Sequence, residues 1–343
     1  MNIKEFARTI GVSPTTVSNA LSGKGRLSPS TREMVHLKMK ELGYSPNATA
    51  RALVTGRTYR LGIVLSRPEG FGSQDTYFSE ILAGILRRAT HHDHNLLLHS
   101  AHYPDWQTLF REIRSGSADG VLLIARYTSD ELTPAILDSK VPSVCISYSV
   151  AHPECYSVDC DNAHGSYLAT RHLLKLGHRR LALLYPGDSI SWGRERHHGA
   201  LTALHEFGLP PDTLREYEWA ETSPPSREWA KSAVNWLKSR KDPPTALICC
   251  DERRARMVVE LLPEAGVRVP EDVAVISFNS TEISARARPP ITSIGQPLAE
   301  IGATAVDLLI ARIEKREVAN RHPRLPMWLD IRGSCGVVAP EPE

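Results

Sequence analysis

The sequence predicts a chain in two parts. An N-terminal three-helix helix-turn-helix head with a hinge helix behind it precedes a two-lobed α/β body with parallel sheets. Three observations carry this. In the first 45 positions, apolar residues recur at helical spacing between glycines and N-cap residues. From Arg60 onward, short apolar runs alternate with amphipathic stretches, the pattern of buried parallel strands covered by helices. Charge divides at the same border: residues 1–60 hold ten Lys or Arg against three Glu, a net of +7, whereas the rest has 31 basic and 36 acidic residues, a net of −5. A compact basic head on an acidic body points to a polyanionic partner for the head. The 343 residues are enough for two or three domains with cores that need neither disulfides nor metals.

In the head, Ile3, Phe6, Ala7 and Ile10 form one helical face, and Gly11 ends the helix. Ser13 caps a second helix with Pro14 in its first turn, where a missing N–H costs nothing. Val17 and Leu21 face inward, whereas Thr15, Thr16, Ser18 and Asn19 face outward, and Gly23 stops the helix. Ser28 and Pro29 open a third helix whose inner face is Val35, Met39 and Leu42, with Gly43 at its end. Short polar side chains at the exposed start of the second helix are the size that reaches base edges in a major groove. Lys4, Arg8, Lys24, Arg26 and Arg32 surround them as phosphate contacts.

The segment YSPNATARALVTGRT follows. Pro46 and Asn47 open a stretch, Ala48 to Leu53, of good helix propensity but too short to be stable alone. Leu53, with no core to join and Arg51 nearby, is suited to wedge between base pairs from the minor groove. The DNA-facing set thus extends to Asn47, Ala50 and Leu53.

Residues 3–60, through IKEFARTIGVSPTTVSNALSG, LSPSTREMVHLKMKELGYSPNATARAL and TGRTYRLGIV, resemble the head of the LacI/GalR family of bacterial transcription regulators. The resemblance implies that the second helix reads the major groove. It also implies that the linker forms a hinge helix whose leucine, here Leu53, intercalates at the centre of a palindromic operator. Pro14, Thr15 and Asn19 fall on the family's specificity positions. Pro14 offers no hydrogen bond, which leaves Thr15, Thr16 and Asn19 to read bases.

The body begins with LGIVLS, a helix near Tyr77–His91, NLLLHS, the helix Trp106–Ser115, GVLLIA, the helix Ser129–Ser139, and SVCIS. A second series runs YSVD, helix Asn162–Leu176, RLALLY, helix Trp192–Phe207, an apolar-faced stretch near Trp229–Leu237, ALICC, helix Glu252–Ala265 and VAVISF. ITSIGQP, a helix over Gln296–Arg316 and MWLDIR follow, and must join earlier sheets, so the chain is expected to cross between lobes more than once. The expected division is 1–45 for the helix-turn-helix domain, 46–59 for the hinge helix and linker, and 60–343 for the effector-binding body. Lobe one covers about 60–158 and 291–320, and lobe two about 159–290 and 321–338. The motifs SVDCDNAHGSYLATRHLLKLGHRRLALL, RERHHGALTAL, PPTALICCDERRA, AGVRVPEDVAVISFN and PPITSIGQPLAEIGATAVDLLI make this body resemble the periplasmic-binding-protein fold of the family's sensor.

In such sheets a ligand binds outside the carboxyl ends of the strands. The candidates there are Tyr77 and Phe78, Arg196, Trp192 and Trp219 as ring-stacking surfaces, Asp251, Asn279 and Gln296. Asp251 also suits the cap of the following helix. The resemblance implies that Arg196, in an R-x-x-G motif, holds sugar hydroxyls or carboxylates. Two positions depart from the family: Asn279 replaces a usual aspartate, and Cys250 stands where some sugar-binding members carry asparagine. A less acidic pocket suits a sugar acid or a phosphorylated ligand, and a silent pocket is the alternative.

No cofactor, metal or catalytic constellation is expected. The histidines at 91, 92, 94, 99 and 102 do not fit the i, i+4 spacing of a helical metal site. There is no Walker A loop or G-x-S-x-G elbow. Cys145, Cys155, Cys160, Cys249, Cys250 and Cys335 form no CxxC pair and read as reduced, mostly buried thiols. With no membrane-length apolar run and no secretory signal, the expected location is the cytoplasm. The expected protein is a sequence-specific transcriptional regulator, in the repressor mode, not an enzyme. Its partners are a palindromic double-stranded DNA operator, a sugar-like small effector and a second copy of itself, as a homodimer or higher assembly. The rivals are a small-molecule binding protein and a DNA-binding regulator with a silent pocket.

Overall fold

The computed structural model describes residues 1–22, 27–44, 56–65, 76–99, 105–124, 131–220 and 223–336. The head consists of α1 (Ile3–Thr9), α2 (Pro14–Ser22) and α3 (Pro29–Glu41). Asn2 and Glu5 form a reciprocal capping box on α1. Ser13 Oγ accepts the Thr16 amide at 3.0 Å, and Ser28 Oγ accepts that of Thr31 at 3.1 Å. Phe6, Ala7, Val17, Ala20 and Val35 make the core. Leu42 departs from expectation: it is the C-cap of α3 and is 43% exposed. The chain leaves the helix through Gly43 at φ +59°, and Tyr44 takes the core position, stacking on Phe6 at 4.2 Å between ring centroids.

The body holds two six-stranded sheets. The first contains β1 (Arg60–Leu65), β2 (Asn95–His99), β3 (Gly120–Ile124), β4 (Ser143–Ile146), β5 (Ser157–Cys160) and β11 (Arg324–Leu325), in the order β11-β5-β4-β3-β1-β2. Its layers of helix are α4 (Thr76–His91), α5 (Trp106–Arg114), α6 (Leu132–Asp138) and, from late in the chain, α12 (Leu298–Ile313). The second contains β6 (Leu181–Tyr185), β7 (Leu214–Glu218), β8 (Ala246–Cys249), β9 (Ala274–Asn279), β10 (Thr292–Gly295) and β12 (Trp328–Asp330), in the order β12-β10-β9-β8-β6-β7. It carries α7 (Asn162–Lys175), α8 (Ser191–Glu206), α9 (Arg227–Lys238), α10 (Glu252–Leu261) and the short α11 (Glu282–Ala285). All described pairings are parallel except β10 with β12.

The lobes interleave differently from the sequence division. Strand β10, placed by sequence with lobe one, belongs to the second sheet, and β11, placed with lobe two, belongs to the first. The chain therefore passes between lobes three times: after β5, between β10 and α12, and between β11 and β12. β10 is buried at every position, so its composition suits either sheet. β7, which was not foreseen, alternates buried and exposed poorly because it is a sheet edge with the sequence LREYE.

Two helix pairs pack at backbone contact through glycine. A Cβ on Gly84 of α4 would lie 1.9 Å from the Ala299 carbonyl oxygen of α12, and one on Gly199 of α8 would lie 2.0 Å from that of Ala163 of α7. At the base of lobe one, the buried Asp119 carboxylate receives the end of the linker. It accepts the Thr58 amide at 2.6 Å, the Thr58 hydroxyl at 2.8 Å and the Tyr59 amide at 2.8 Å.

Candidate effector cleft and DNA-facing head

The carboxyl ends of β1, β3, β4 and β5 in one lobe and of β6, β8 and β9 in the other define the cleft. Arg196, on the second turn of α8, is 5% exposed and held from three sides. Its Nε donates to Asn162 Oδ1 at 2.9 Å and its Nη1 to the Cys250 carbonyl at 2.7 Å. The guanidinium carbon sits 4.0 Å from the ring centroid of Phe278 and 4.7 Å from that of Trp192. This cation is thus pre-oriented, with its planar faces covered by aromatic rings.

Tyr77 donates its hydroxyl to Ser147 Oγ at the end of β4, and burial together with the nearby Asp159 carboxylate raises its phenol above the ordinary value. Asp159 itself is buried at the end of β5, which pushes its carboxyl up to about 6 against the opposing pull of Arg324. Arg324 lies 3.4 Å from Asp159 Oδ2 and reaches across the lobes to Glu195 of α8 with two bonds of 3.0 and 2.9 Å. A second bridge joins the lobes at Thr76. Its hydroxyl meets that of Thr281 at 2.9 Å, and Thr281 in turn donates to the buried Glu252 at 2.7 Å. Burial raises the Glu252 carboxyl, while the bonds from Thr281 lower it.

Asn279 ends β9 at φ 94°, and its Oδ1 accepts from Gln296 Nε2. The two side chains line a cavity of about 580 Å³ that also takes in Thr76 and Glu80 from α4, Thr281 and Arg332. Asn279 and Gln296 therefore line a cavity between the lobes, whereas Tyr77, Trp192 and Arg196 stand near the strand ends and are not among its lining residues. The remaining candidates sit otherwise. Phe78 is 5% exposed within the hydrophobic core. Asp251 caps α10: its Oδ1 accepts the amides of Arg253 and Arg254 at 2.8 and 3.1 Å, and its Oδ2 pairs with the Arg254 side chain. Trp219 is 7% exposed, edge-on to Trp229 at 5.5 Å, with the Arg254 guanidinium 4.3 Å from its ring centroid. Cys250 is fully enclosed beside Arg196, and burial pushes its thiol up to about 12, so it is inert at neutral pH.

In the head, Pro14 and Thr15 are exposed at the start of α2, and Thr16, Ser18 and Asn19 are half-buried along it. The Thr16 hydroxyl is shared with Ser13 Oγ at 2.9 Å, so part of its hydrogen-bonding capacity serves the cap. Asn47, Ala50 and Leu53 lie outside the described residues. The histidines resolve into separate roles: His92 on Asp307, His94 beside Asp119 and His99 beside Glu112. His102 lies outside the described residues, among which no cluster of three or more His, Cys, Asp or Glu forms a metal site. All six cysteines are buried and free. No helix among the described residues is long and apolar enough to cross a membrane.

Residues 2–47 match the family model "Bacterial regulatory proteins, lacI family", and residues 170–335 match the "Periplasmic binding protein-like domain". The HTH-type transcriptional regulator AglR of Rhizobium meliloti is 31% identical over 98% of this chain and 94% of its own length. The chain belongs to the LacI family. This LacI-family regulator is also 32% identical to the HTH-type transcriptional repressor PurR of Erwinia tasmaniensis, over 96% of each chain. Among solved structures, the transcriptional regulator CelR–cellobiose complex aligns over 97% of this chain and 99% of its own, with a TM-score of 0.74 and 27% identity. The lac repressor dimer bound to operator and the anti-inducer ONPF shares the fold, at TM-score 0.77 and 24% identity over 98% of this chain and 99% of that one. This LacI-family protein is a DNA-binding transcriptional regulator with a two-lobed sensor body.

Residues that sequence reasoning missed are Asp119, Asp159, Glu252 and Arg254. Each is a charged side chain that the fold buries. Arg254 carried a readable signal, because it shares a helical face with Val258 and Leu261 at i, i+4 and i+7, where an apolar residue is expected.

Proposed function

We propose that the protein is a dimeric repressor of the cytoplasm that grips a palindromic operator through α2 and Leu53 and releases or tightens that grip when a small sugar-like effector enters the cleft. The observation that carries the effector reading is Arg196, a buried cation fixed by Asn162 and Cys250 and flanked by Trp192 and Phe278. A ligand hydroxyl or carboxylate meeting its remaining donors gains a partner already oriented, with little ordering left to lose. These groups all belong to lobe two, so a ligand held there biases how the lobes close by also meeting lobe one, provided it prefers one arrangement. The ligands bound by similar regulators, cellobiose in CelR and ribose in a LacI family regulator of Enterococcus faecium, support a carbohydrate as the effector class. Leu86 on α4 and Leu98 on the edge strand β2 are 54% and 47% exposed, and suit burial against a second copy.

The test is a mobility shift with palindromic DNA from the gene's neighbourhood, repeated with a panel of sugars, sugar acids and sugar phosphates. Arg196→Ala is expected to bind the operator as the parent does but to lose the response to the active compound. A retained response moves the site elsewhere, and no operator binding at low salt overturns the regulator reading.

A further inference from the structure

Arg254 takes two of the expected effector contacts out of use at once. Trp219 follows β7 and Asp251 follows β8, so both stand at the carboxyl ends of strands, where the cleft is. A tryptophan there offers a flat apolar surface to a sugar ring, and an aspartate offers acceptors to its hydroxyls. In the structure neither is available. The guanidinium of Arg254 lies 4.3 Å from the Trp219 ring centroid and 5.2 Å from that of Trp229. Its Nη1 donates to Asp251 Oδ2 and its Nη2 to the Ser223 carbonyl, tying the segment after β7 to the start of α10. The remaining oxygen of Asp251 holds two helix amides. Arg254 is 5% exposed, and its Nε is buried with no hydrogen-bond partner among the described residues. A buried donor left unpaired is costly, so the side chain is held here by the stack and by its two terminal bonds, not by full satisfaction of its polar atoms.

We infer that Arg254 is a specificity-determining plug, which seals the aromatic subsite at Trp219 and confines the effector to the part of the cleft around Arg196, Asn279 and Gln296. The ligand class that follows is a single-ring carbohydrate or sugar derivative, with a two-ring glycoside excluded. This rests on the cleft being the effector site. Removing the guanidinium uncovers one face of Trp219 and frees Asp251 Oδ2, which together recreate a site for a second ring. Cutting the Asp251 pair has the same direction by a different route. Asparagine at 251 still caps α10 through its carbonyl oxygen but no longer holds Arg254 by charge.

The experiment compares the full chain with Arg254→Ala and Asp251→Asn by calorimetric titration with D-glucose and with cellobiose, alongside acrylamide quenching of tryptophan fluorescence. In the parent, Trp219→Phe is expected to leave the quenchable fraction unchanged, since Trp219 is already covered. In both variants the quenchable fraction rises, and affinity for cellobiose relative to glucose increases about tenfold, the scale of one aromatic contact. Adding Trp219→Ala to either variant abolishes that gain. A purely structural role for Arg254 lowers thermal stability without moving the cellobiose preference. The inference is overturned if neither folded variant gains cellobiose binding, or if the parent already binds cellobiose through Trp219. Operator binding by the parent is measured in parallel. Its loss counts against the regulator reading and leaves the cellobiose comparison to stand on its own result.

Discussion

Replacing Asp119 with alanine is expected to loosen the junction where the head's linker enters the body. The carboxylate is 7% exposed and receives three donors within 2.8 Å, all from Thr58 and Tyr59. A hydrogen bond to a charged acceptor contributes about 1.5–3 kcal/mol. Thr58 and Tyr59 are half-buried, so water recovers part of each lost bond. Tyr59 also sits at φ 56°, a left-handed conformation that costs a bulky residue about 1–2 kcal/mol and is released when its amide is freed. The imidazole of His94, with Nε2 3.8 Å from Asp119 Oδ2, loses its neighbour as well. The balance is a loss of about 3 kcal/mol in the stability of lobe one. Urea unfolding followed by circular dichroism measures it. Because Thr58 and Tyr59 fix where the linker leaves the body, operator affinity is expected to fall about tenfold, the equivalent of 1.4 kcal/mol. Affinity for a cleft ligand should stay within twofold. A variant as stable as the parent with unchanged operator affinity refutes the reasoning, as does one that loses ligand and operator binding equally.

Three further outcomes are expected. Asp159 ionises at about pH 6 in the folded protein, against 3.8 for an ordinary aspartate. The native state therefore holds the extra proton between those values, and its favourable contribution disappears as pH rises through 6. Asp159→Asn should then stabilise the protein by about 2–3 kcal/mol at pH 7.5, with the gain shrinking as pH falls from 6 toward 4, seen in thermal unfolding across that range. Gly199→Ala should cost about 3 kcal/mol, since its Cβ would stand 2.0 Å from the Ala163 carbonyl oxygen and force α7 and α8 apart; an unchanged unfolding midpoint contradicts this. Leu53→Ala should weaken operator binding far more than binding to unrelated DNA, and equal losses in a competition assay show that Leu53 is no wedge.

Most of the fold was legible because its strands are apolar on both faces. Runs such as LALLY and AVISF are buried along nearly their whole length and read as strands without reference to anything else. The head was legible through its caps, since Ser13 and Ser28 announce helix starts that depend only on local hydrogen bonds. Edge elements were not legible. β7 and the two-residue β11 derive their conformation from the neighbouring strand and carry no periodicity of their own. Sheet membership of β10 depends on how the chain closes around it. Among the candidate site residues, the capping role of Asp251 was readable from its position before a helix, but its pairing with Arg254 and the cover over Trp219 were not. Both come from Arg254, a residue that acts only through three-dimensional neighbours.

The three passages between lobes have a consequence for biosynthesis. Lobe two acquires β6 to β10 as one uninterrupted run, whereas lobe one waits for α12 and β11 to return and cover α4 and β5. A ribosome adding about 5–20 residues per second leaves roughly ten to thirty seconds between β5 and β11. During that interval Gly84 and the face of α4 around it lack the helix that will seal them, although the DNA-reading head has long emerged. Five of the six strands of the sensor's far half are thus made before the platform that carries the head is sealed, and β12, the sixth, follows β11. A nascent or prematurely ended chain has a reader with no completed base to stand on.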